Sequence, residues 1–168
     1  MSADNFPISH PVRIEDIPAS GLDVRLKPSE SERVALAKFL EIPAISVLGA
    51  HFKLTRKGHR VNVEGEISGE VTRTCVVSLD DFSMPLKEVV SLVFDEKADP
   101  NADLSEEEPD APEPLIGGVI DLGGILTEFT ALGLDPYPRK PGAVFAFHDK
   151  VDVEENPFAA LSALKSKE

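Results

Sequence analysis

The sequence predicts an α+β fold, in which an antiparallel, strongly curved or barrel-like sheet is covered by two main helices. Between residues 44 and 94, hydrophobic residues alternate with a period of two, as in strands with one buried face. Two other segments repeat apolar residues at helical spacing and begin with capping residues.

A length of 168 residues suggests one domain. We expect it to span residues 1–148, with an acidic, mobile and disordered insert at 95–114. An extended, mobile tail with a short terminal helix is expected at 149–168.

Two short strands and a helix are expected at the start of the chain. Residues 8–17 and 23–27 show polar alternation and are flanked by proline or glycine, which favours strands. The first helix begins after Ser29, because Ser29 and Glu32 have capping-box spacing. Pro43 ends this helix, since proline does not continue one. Its expected buried stripe consists of Val34, Ala37 and Leu40.

The central segment is expected to form a meander of antiparallel strands with one wet face. Lys57-Gly58 and Ser68-Gly69 are typical of tight turns and would separate the strands. Apolar residues alternate with polar ones on both sides of these turns. The expected core-facing residues are Phe52, Leu54, Val61, Val63, Ile67, Val71, Cys75, Val77, Leu86, Val90, Leu92 and Phe94.

A second helix is expected over residues 121–132. Asp121 has the position of an N-cap, and Ile120 and Ile125 have the spacing of a hydrophobic staple. Gly133 is expected to adopt the left-handed conformation that ends many helices, which would bring Leu134 against the last turn. The expected apolar stripe consists of Leu122, Ile125, Phe129 and Leu132.

The net charge of −13 is concentrated in one segment. Residues 1–79 contain ten acidic and ten basic side chains and are neutral overall. Residues 95–114 contain nine acids, one lysine and four prolines, which gives a charge of −8. Such a composition predicts disorder, and a long loop of this kind is either functional or a solvated tether.

Three segments together give the chain a resemblance to a known family. They are residues 71–82 (VTRTCVVSLDDF), residues 120–143 (IDLGGILTEFTALGLDPYPRKPGA) and residues 156–165 (NPFAALSALK). In order and spacing they resemble the YceD family, described as large ribosomal RNA subunit accumulation proteins. The resemblance covers the chain from about residue 10 to its end. It implies a role in the synthesis, processing or stability of 23S ribosomal RNA, and so in large-subunit assembly.

The sequence gives no support for a metal site, a cofactor or catalysis. Many relatives carry a Cys-x-x-Cys pair at the position of Cys75, which suggests metal binding in those branches, but here Ser78 stands at the second position. One cysteine and four scattered histidines do not supply a tetrahedral zinc site. There is no Gly-x-Ser-x-Gly elbow, and the Gly-Gly pairs match no phosphate loop. We therefore expect a buried structural thiol, no enzyme activity and no small-molecule substrate.

One candidate interaction site is a basic hairpin turn. Its side chains Lys53, Arg56, Lys57, His59 and Arg60 surround the expected turn at Gly58. They have the charge needed to contact RNA phosphates. The alternative is a solvated turn whose charges keep the protein soluble. No RNA-recognition module is apparent, because aromatic residues do not interleave with the basic ones.

A second candidate is the loop after the second helix, residues 135–142. Three prolines stiffen it, so Tyr137, Arg139 and Lys140 would be presented to a partner with little loss of conformational entropy. Tyr137 is suited to stacking on a base or a peptide. The alternative is that the loop clamps onto its own domain and buries Tyr137.

The C-terminal segment is a third candidate. Asn156 and Pro157 are a typical N-cap and first helical residue. The apolar face formed by Phe158, Leu161 and Leu164 is expected either to dock on the domain or to enter a partner's groove. An isolated helix of this length is marginal in water, so it should order only when docked.

The expected function is therefore open between three mechanisms. The basic residues contact precursor ribosomal RNA directly, or the acidic insert binds a basic ribosomal or assembly protein, or the terminal helix serves as an adaptor.

The chain starts without a basic region or an apolar stretch typical of a secretory signal. No apolar run approaches the roughly 18 residues of a membrane span. The simplest expectation is a cytoplasmic protein of bacterial type.

Overall fold

The computed structural model describes residues 6–99 and 112–144. This part of the chain contains two helices, α1 (Glu30–Phe39) and α2 (Leu122–Leu132). Its strands are β1 (Pro11–Arg13), β2 (Leu22–Leu26), β3 (Ala44–Lys57), β4 (Arg60–Thr74), β5 (Asp81–Asp95), β6 (Glu113–Pro114) and β7 (Val119–Asp121). A short 3-10 turn, Ile14–Asp16, follows β1, so the strand expected at residues 8–17 is shorter than predicted.

The predicted α+β class is confirmed, but the predicted sheet shape is wrong. The main sheet is open, with strand order β2-β3-β4-β5-β6, and the described strands form neither a closed nor a strongly curled sheet. Its pairings are antiparallel except for β5 with β6. The first strand does not help to close it, because β1 pairs with β7 in a separate two-stranded sheet next to α2.

The three central strands are longer than the sequence suggested. The prediction of a turn at Ser68-Gly69 is wrong, because β4 continues through both residues, with Gly69 between Leu48 and Leu86. A Cβ atom on Gly69 would lie 2.5 Å from the Val47 carbonyl oxygen, so glycine is required here by close packing of strands. The first turn does lie near Gly58, which takes a positive φ of 63°. The second turn lies at residues 75–80 instead.

Helix α1 has the predicted start, but its buried face is only partly as predicted. The Ser29 hydroxyl accepts a hydrogen bond from the Glu32 amide, and the Glu32 carboxylate accepts one from the Ser29 amide, which confirms the capping box. The prediction that Val34 is buried is wrong, since 65% of it is exposed. Ala37 is buried as predicted and Leu40 is half-buried, but Leu36 takes the place expected of Val34, which lies about 200° around the helix from it.

Helix α2 is covered on nearly all sides. Leu122 and Leu126 are fully buried, and a Cβ atom on Gly123 would lie 2.6 Å from the Ile8 carbonyl oxygen. The N-terminal segment therefore packs directly on the first turn of the helix. The expected stripe is wrong at its end, because Leu132 is 74% exposed.

The end of α2 also differs from the prediction. Gly133 has φ −76° and not the predicted left-handed conformation. A Cβ atom there would lie 2.5 Å from a carboxylate oxygen of Glu88, at the end of a flexible side chain, so Gly133 packs closely against β5. Its amide hydrogen bonds the Phe129 carbonyl, and the Leu134 amide bonds the Ala131 carbonyl.

The two hairpins of the meander lie at opposite ends of β4. The β3–β4 turn precedes Arg60 and the β4–β5 turn follows Thr74. A strand of fifteen residues with a rise of about 3.3 Å per residue spans about 45 Å. Features of these two turns therefore belong to separate sites.

Candidate interaction site

The β4–β5 turn and the loop after α2 contact each other directly. The Val76 amide donates to the Pro138 carbonyl at 3.0 Å, and the Lys140 amide donates to Cys75 Sγ at 3.3 Å. Lys140 Nζ also pairs with Asp80 Oδ2 at 3.2 Å. We name this surface, formed by residues 75–80 and 135–141, the loop–turn face. It joins two of the three segments that carried the resemblance.

Cys75 holds the centre of the loop–turn face. Its buried sulfur accepts hydrogen bonds from the amides of Val77 and Ser78, at 3.4 Å each, in addition to the bond from Lys140. Hydrogen bonds from Ser78, followed by that from the Lys140 amide, lower the pKa of the Cys75 thiol to about 6. Cys75 thus ties the loop to the turn. Among residues 6–99 and 112–144, no group of His, Cys, Asp or Glu is arranged to hold a metal ion.

Two residues of the proline-rich loop are fixed to the domain, and two others are exposed to solvent. Pro138 is buried and Lys140 is ion-paired, and this ion pair lowers the pKa of Asp80. Tyr137 is 72% exposed, and Arg139 is also exposed. The loop therefore combines both alternatives raised by the sequence: it is fixed to its own domain, and its aromatic ring remains free in solvent.

The β4–β5 turn adds exposed apolar side chains to this face. Leu79 is 77% exposed and has a φ of 62°, which is uncommon for a bulky side chain. Val76 is 47% exposed. Sequence reasoning missed Leu79, since no sequence signal marked the left-handed backbone of this residue.

Part of the predicted basic hairpin turn is paired with acidic residues of its own domain. Arg60 Nε lies 2.9 Å and His59 Nε2 lies 3.5 Å from Asp95 Oδ2. Arg56 lies 3.8 Å from Glu96 and also donates to a backbone carbonyl. In the described ranges, Lys53 and Lys57 are exposed and make no ion pair or side-chain hydrogen bond.

The acidic segment starts and ends beside this hairpin turn. Asp95 is the last residue of β5, and its partner strand β6 follows the acidic run, with Asp95 opposite Pro114. The buried Asp95 carboxylate accepts from the Lys97 amide at 2.8 Å, which is the main reason that its pKa is lowered. The predicted disordered insert is therefore rooted in the sheet at both ends. Residues 100–111 lie outside the described residues.

The two predicted basic sites thus do not combine. Lys53, Arg56, Lys57 and Arg60 lie toward one end of β4, next to the acidic segment. Tyr137, Arg139 and Lys140 lie at the other end. The tail residues Asn156, Pro157, Phe158, Leu161 and Leu164 lie outside the described residues.

Comparison with known proteins identifies the family. Residues 63–165 match the family described as large ribosomal RNA subunit accumulation protein YceD. Neither a curated protein nor a solved structure matches the chain. Within the described ranges, no helix is long and apolar enough to cross a membrane. Since the family match covers more than half of the 168 residues, the chain belongs to the YceD family.

Proposed function

We propose that this protein is a non-enzymatic factor that supports the accumulation of 23S ribosomal RNA by contacting precursor RNA through the loop–turn face. The family description supplies the link to large-subunit ribosomal RNA. The observation that carries the choice of surface is the exposure of Tyr137 on a loop fixed by Pro138 and Lys140.

The chemistry of this face suits an unpaired RNA segment. An exposed tyrosine offers a stacking surface, and stacking of a base on an aromatic ring contributes about 1–3 kcal/mol. Arg139 is exposed beside it and has the charge to contact a phosphate. Because Pro138 and Lys140 already fix the backbone, little ordering is needed on binding.

The position of the acidic segment also favours this face. A net charge of −13 opposes the approach of RNA, but residues 95–114 contribute −8 of it. That segment is rooted at the hairpin end of β4, about 45 Å from the β4–β5 turn. Separations far beyond the Debye length of about 8 Å are strongly screened at physiological salt. The loop–turn face is therefore far from both points at which the acidic segment joins the sheet.

The test compares two variants that each remove one exposed positive charge. Arg139→Ala changes the loop–turn face, and Lys57→Ala changes the hairpin turn, so the change in net charge is matched. Binding is measured on a fragment of precursor 23S ribosomal RNA over a range of salt concentrations. Arg139→Ala should lower the slope of log affinity against log salt by about 0.7–0.9, the value for one lost phosphate contact.

Lys57→Ala should leave both affinity and slope nearly unchanged. Tyr137→Ala should weaken binding by about five- to 150-fold, because it removes a stacking contribution of about 1–3 kcal/mol. Equal effects of Arg139→Ala and Lys57→Ala would contradict the assignment to the loop–turn face, and wild-type binding by both Arg139→Ala and Tyr137→Ala would exclude direct contact there.

A second candidate function is supported by the fixed ends of the acidic segment. Because Asp95 and Glu113 hold its base together, the segment leaves and re-enters the domain at one place. A highly acidic loop presented in this way is suited to binding a basic ribosomal or assembly protein. Deletion of residues 100–111 would abolish such binding while leaving RNA affinity intact.

A further inference from the structure

The outer edge of β5 is open along most of its length. On one side β5 pairs with β4 over its whole length, without a register shift. On the other side β6 pairs only with Phe94 and Asp95. No described residue hydrogen bonds the outer edge of residues 81–93 through its backbone.

The direction of the backbone groups follows from two residues. Pro85 has no N–H to donate, and the Asp95 carbonyl accepts from the Leu115 amide on the β6 side. Both fit a strand whose odd-numbered residues direct their N–H and C=O groups outward. Residues 87, 89, 91 and 93 therefore offer a row of donors and acceptors without a partner in the described part of the chain.

Among residues 6–99 and 112–144, this edge lacks most of the features by which proteins protect an open strand. Proline, charge and a covering segment are the usual ones. Pro85 protects only one end and Lys87 supplies one charge, whereas Val89 is 78% exposed. An edge of this kind is suited to the addition of a strand from another chain.

The side chains beside the edge indicate the charge of that strand. A shallow concavity of about 480 Å³ lies on the wet face, with Val89 and Ser91 at the β5 side and Glu64 and Glu66 behind them on β4. His51 and Lys53 of β3 line its far side, opposite Glu66 and Glu64. Neither glutamate makes an ion pair or hydrogen bond with a described residue. Small side chains at the rim leave room for long basic side chains of an added strand to reach these carboxylates.

We propose that the edge of β5 at residues 87–93 binds an extended basic peptide of a partner protein by strand addition, with its lysine or arginine side chains directed to Glu64 and Glu66. This inference is independent of RNA contact at the loop–turn face. A second copy of this chain is a poorer partner, because each copy carries a charge of −13.

The probe is a synthetic peptide of alternating arginine and threonine, and the protein is the full chain. Amide exchange is followed at residues 87, 89, 91 and 93 with and without the peptide. These amides should exchange rapidly in the free protein and be protected by the peptide. Protection in the free monomer would overturn the proposal in favour of the chain's own segments. Protection that appears only with dimer formation would overturn it in favour of a second copy.

Two matched controls separate strand addition from simple charge attraction. Val89→Pro removes one outward donor and should weaken peptide binding by about tenfold, whereas Ser83→Pro, at an outward position beyond Pro85, should not. A peptide of the same charge, methylated at its edge-facing amide nitrogens, should bind the wild-type protein at least tenfold more weakly. Equal binding of the methylated peptide would overturn the proposal even if Val89→Pro did not fold.

The role of Glu64 and Glu66 in binding the basic peptide is tested separately. Glu64→Gln with Glu66→Gln should reduce affinity several-fold at low salt and reduce its salt dependence, while the protected amides remain the same. An unchanged affinity in this double variant would contradict the assignment of a basic partner.

Discussion

At the residue scale, Leu79 combines an unfavourable backbone with a side chain that contributes little to the core. Its φ of 62° is costly for a bulky residue, by about 1–2 kcal/mol. Its side chain is 77% exposed, so little burial compensates for this cost. Conformations of this kind persist where function requires them, which fits a role of Leu79 in binding.

Replacing Leu79 should therefore stabilise the protein. Asparagine tolerates the left-handed region better, so Leu79→Asn should raise the free energy of unfolding by about 0.5–1 kcal/mol. Leu132→Asn is the matched control, since Leu132 is similarly exposed but helical, and it should give no gain. Urea denaturation measures both. A loss of more than about 1 kcal/mol in Leu79→Asn would show that Leu79 packs against the domain.

Cys75 should titrate well below an ordinary thiol. In the folded protein its pKa is about 6, lowered from 9.0 by hydrogen bonds from Ser78 and from the Lys140 amide. The ultraviolet absorbance of the thiolate should therefore appear with a midpoint near pH 6, and near the usual thiol value after unfolding in urea. A folded-state midpoint close to 9 would mean that the loop does not contact the sulfur.

The same titration sets a pH dependence of stability. Because the folded pKa is the lower one, the stabilisation is complete above the unfolded pKa and is lost as the pH falls through about 6. The free energy of unfolding relative to Cys75→Ser should thus rise between about pH 6 and pH 9 and be flat below.

At the scale of elements, the contacts at the start of α2 should contribute strongly to the stability of the fold. The Asp121 carboxylate accepts from the Gly123 amide at 2.9 Å, the His10 amide at 2.6 Å and the Ser9 hydroxyl at 3.0 Å. Asp121→Ala should therefore destabilise the protein by about 2–3 kcal/mol, more than an ordinary cap. Ser29→Ala, which removes a local cap from α1, should cost about 1 kcal/mol. Equal losses in thermal unfolding would show that the N-terminal segment contributes nothing through Asp121.

The sequence was informative about elements where the cause is local. The caps at Ser29 and Asp121 were predicted correctly, because a cap depends on residues within one turn of the helix. Gly69 was misassigned because a strand distant in sequence requires it, and Gly133 was misassigned because it packs against Glu88 and Leu86 of β5 without a left-handed backbone. Single-helix periodicity likewise does not show which side will face the sheet, as the exposure of Val34 demonstrates.

At the scale of the whole molecule, the two predicted basic sites lie at opposite ends of the central sheet. The acidic segment is rooted at the hairpin end of β4, where Asp95 pairs with Arg60 and lies 3.5 Å from His59. The loop–turn face lies at the opposite end. The sequence identified both basic sets, but the distance between them and the pairing of Arg60 depend on strand register, which composition does not reveal.

Crosslinking in living cells shows directly whether the loop–turn face contacts precursor ribosomal RNA. Ultraviolet crosslinking of the full chain is followed by sequencing of the bound RNA and mass spectrometry of the crosslinked peptides. We expect 23S precursor RNA joined to the peptide that contains Tyr137, and loss of that adduct in Tyr137→Ala. Adducts confined to the peptide around Lys53 and Lys57, or no enrichment of ribosomal RNA, would contradict it.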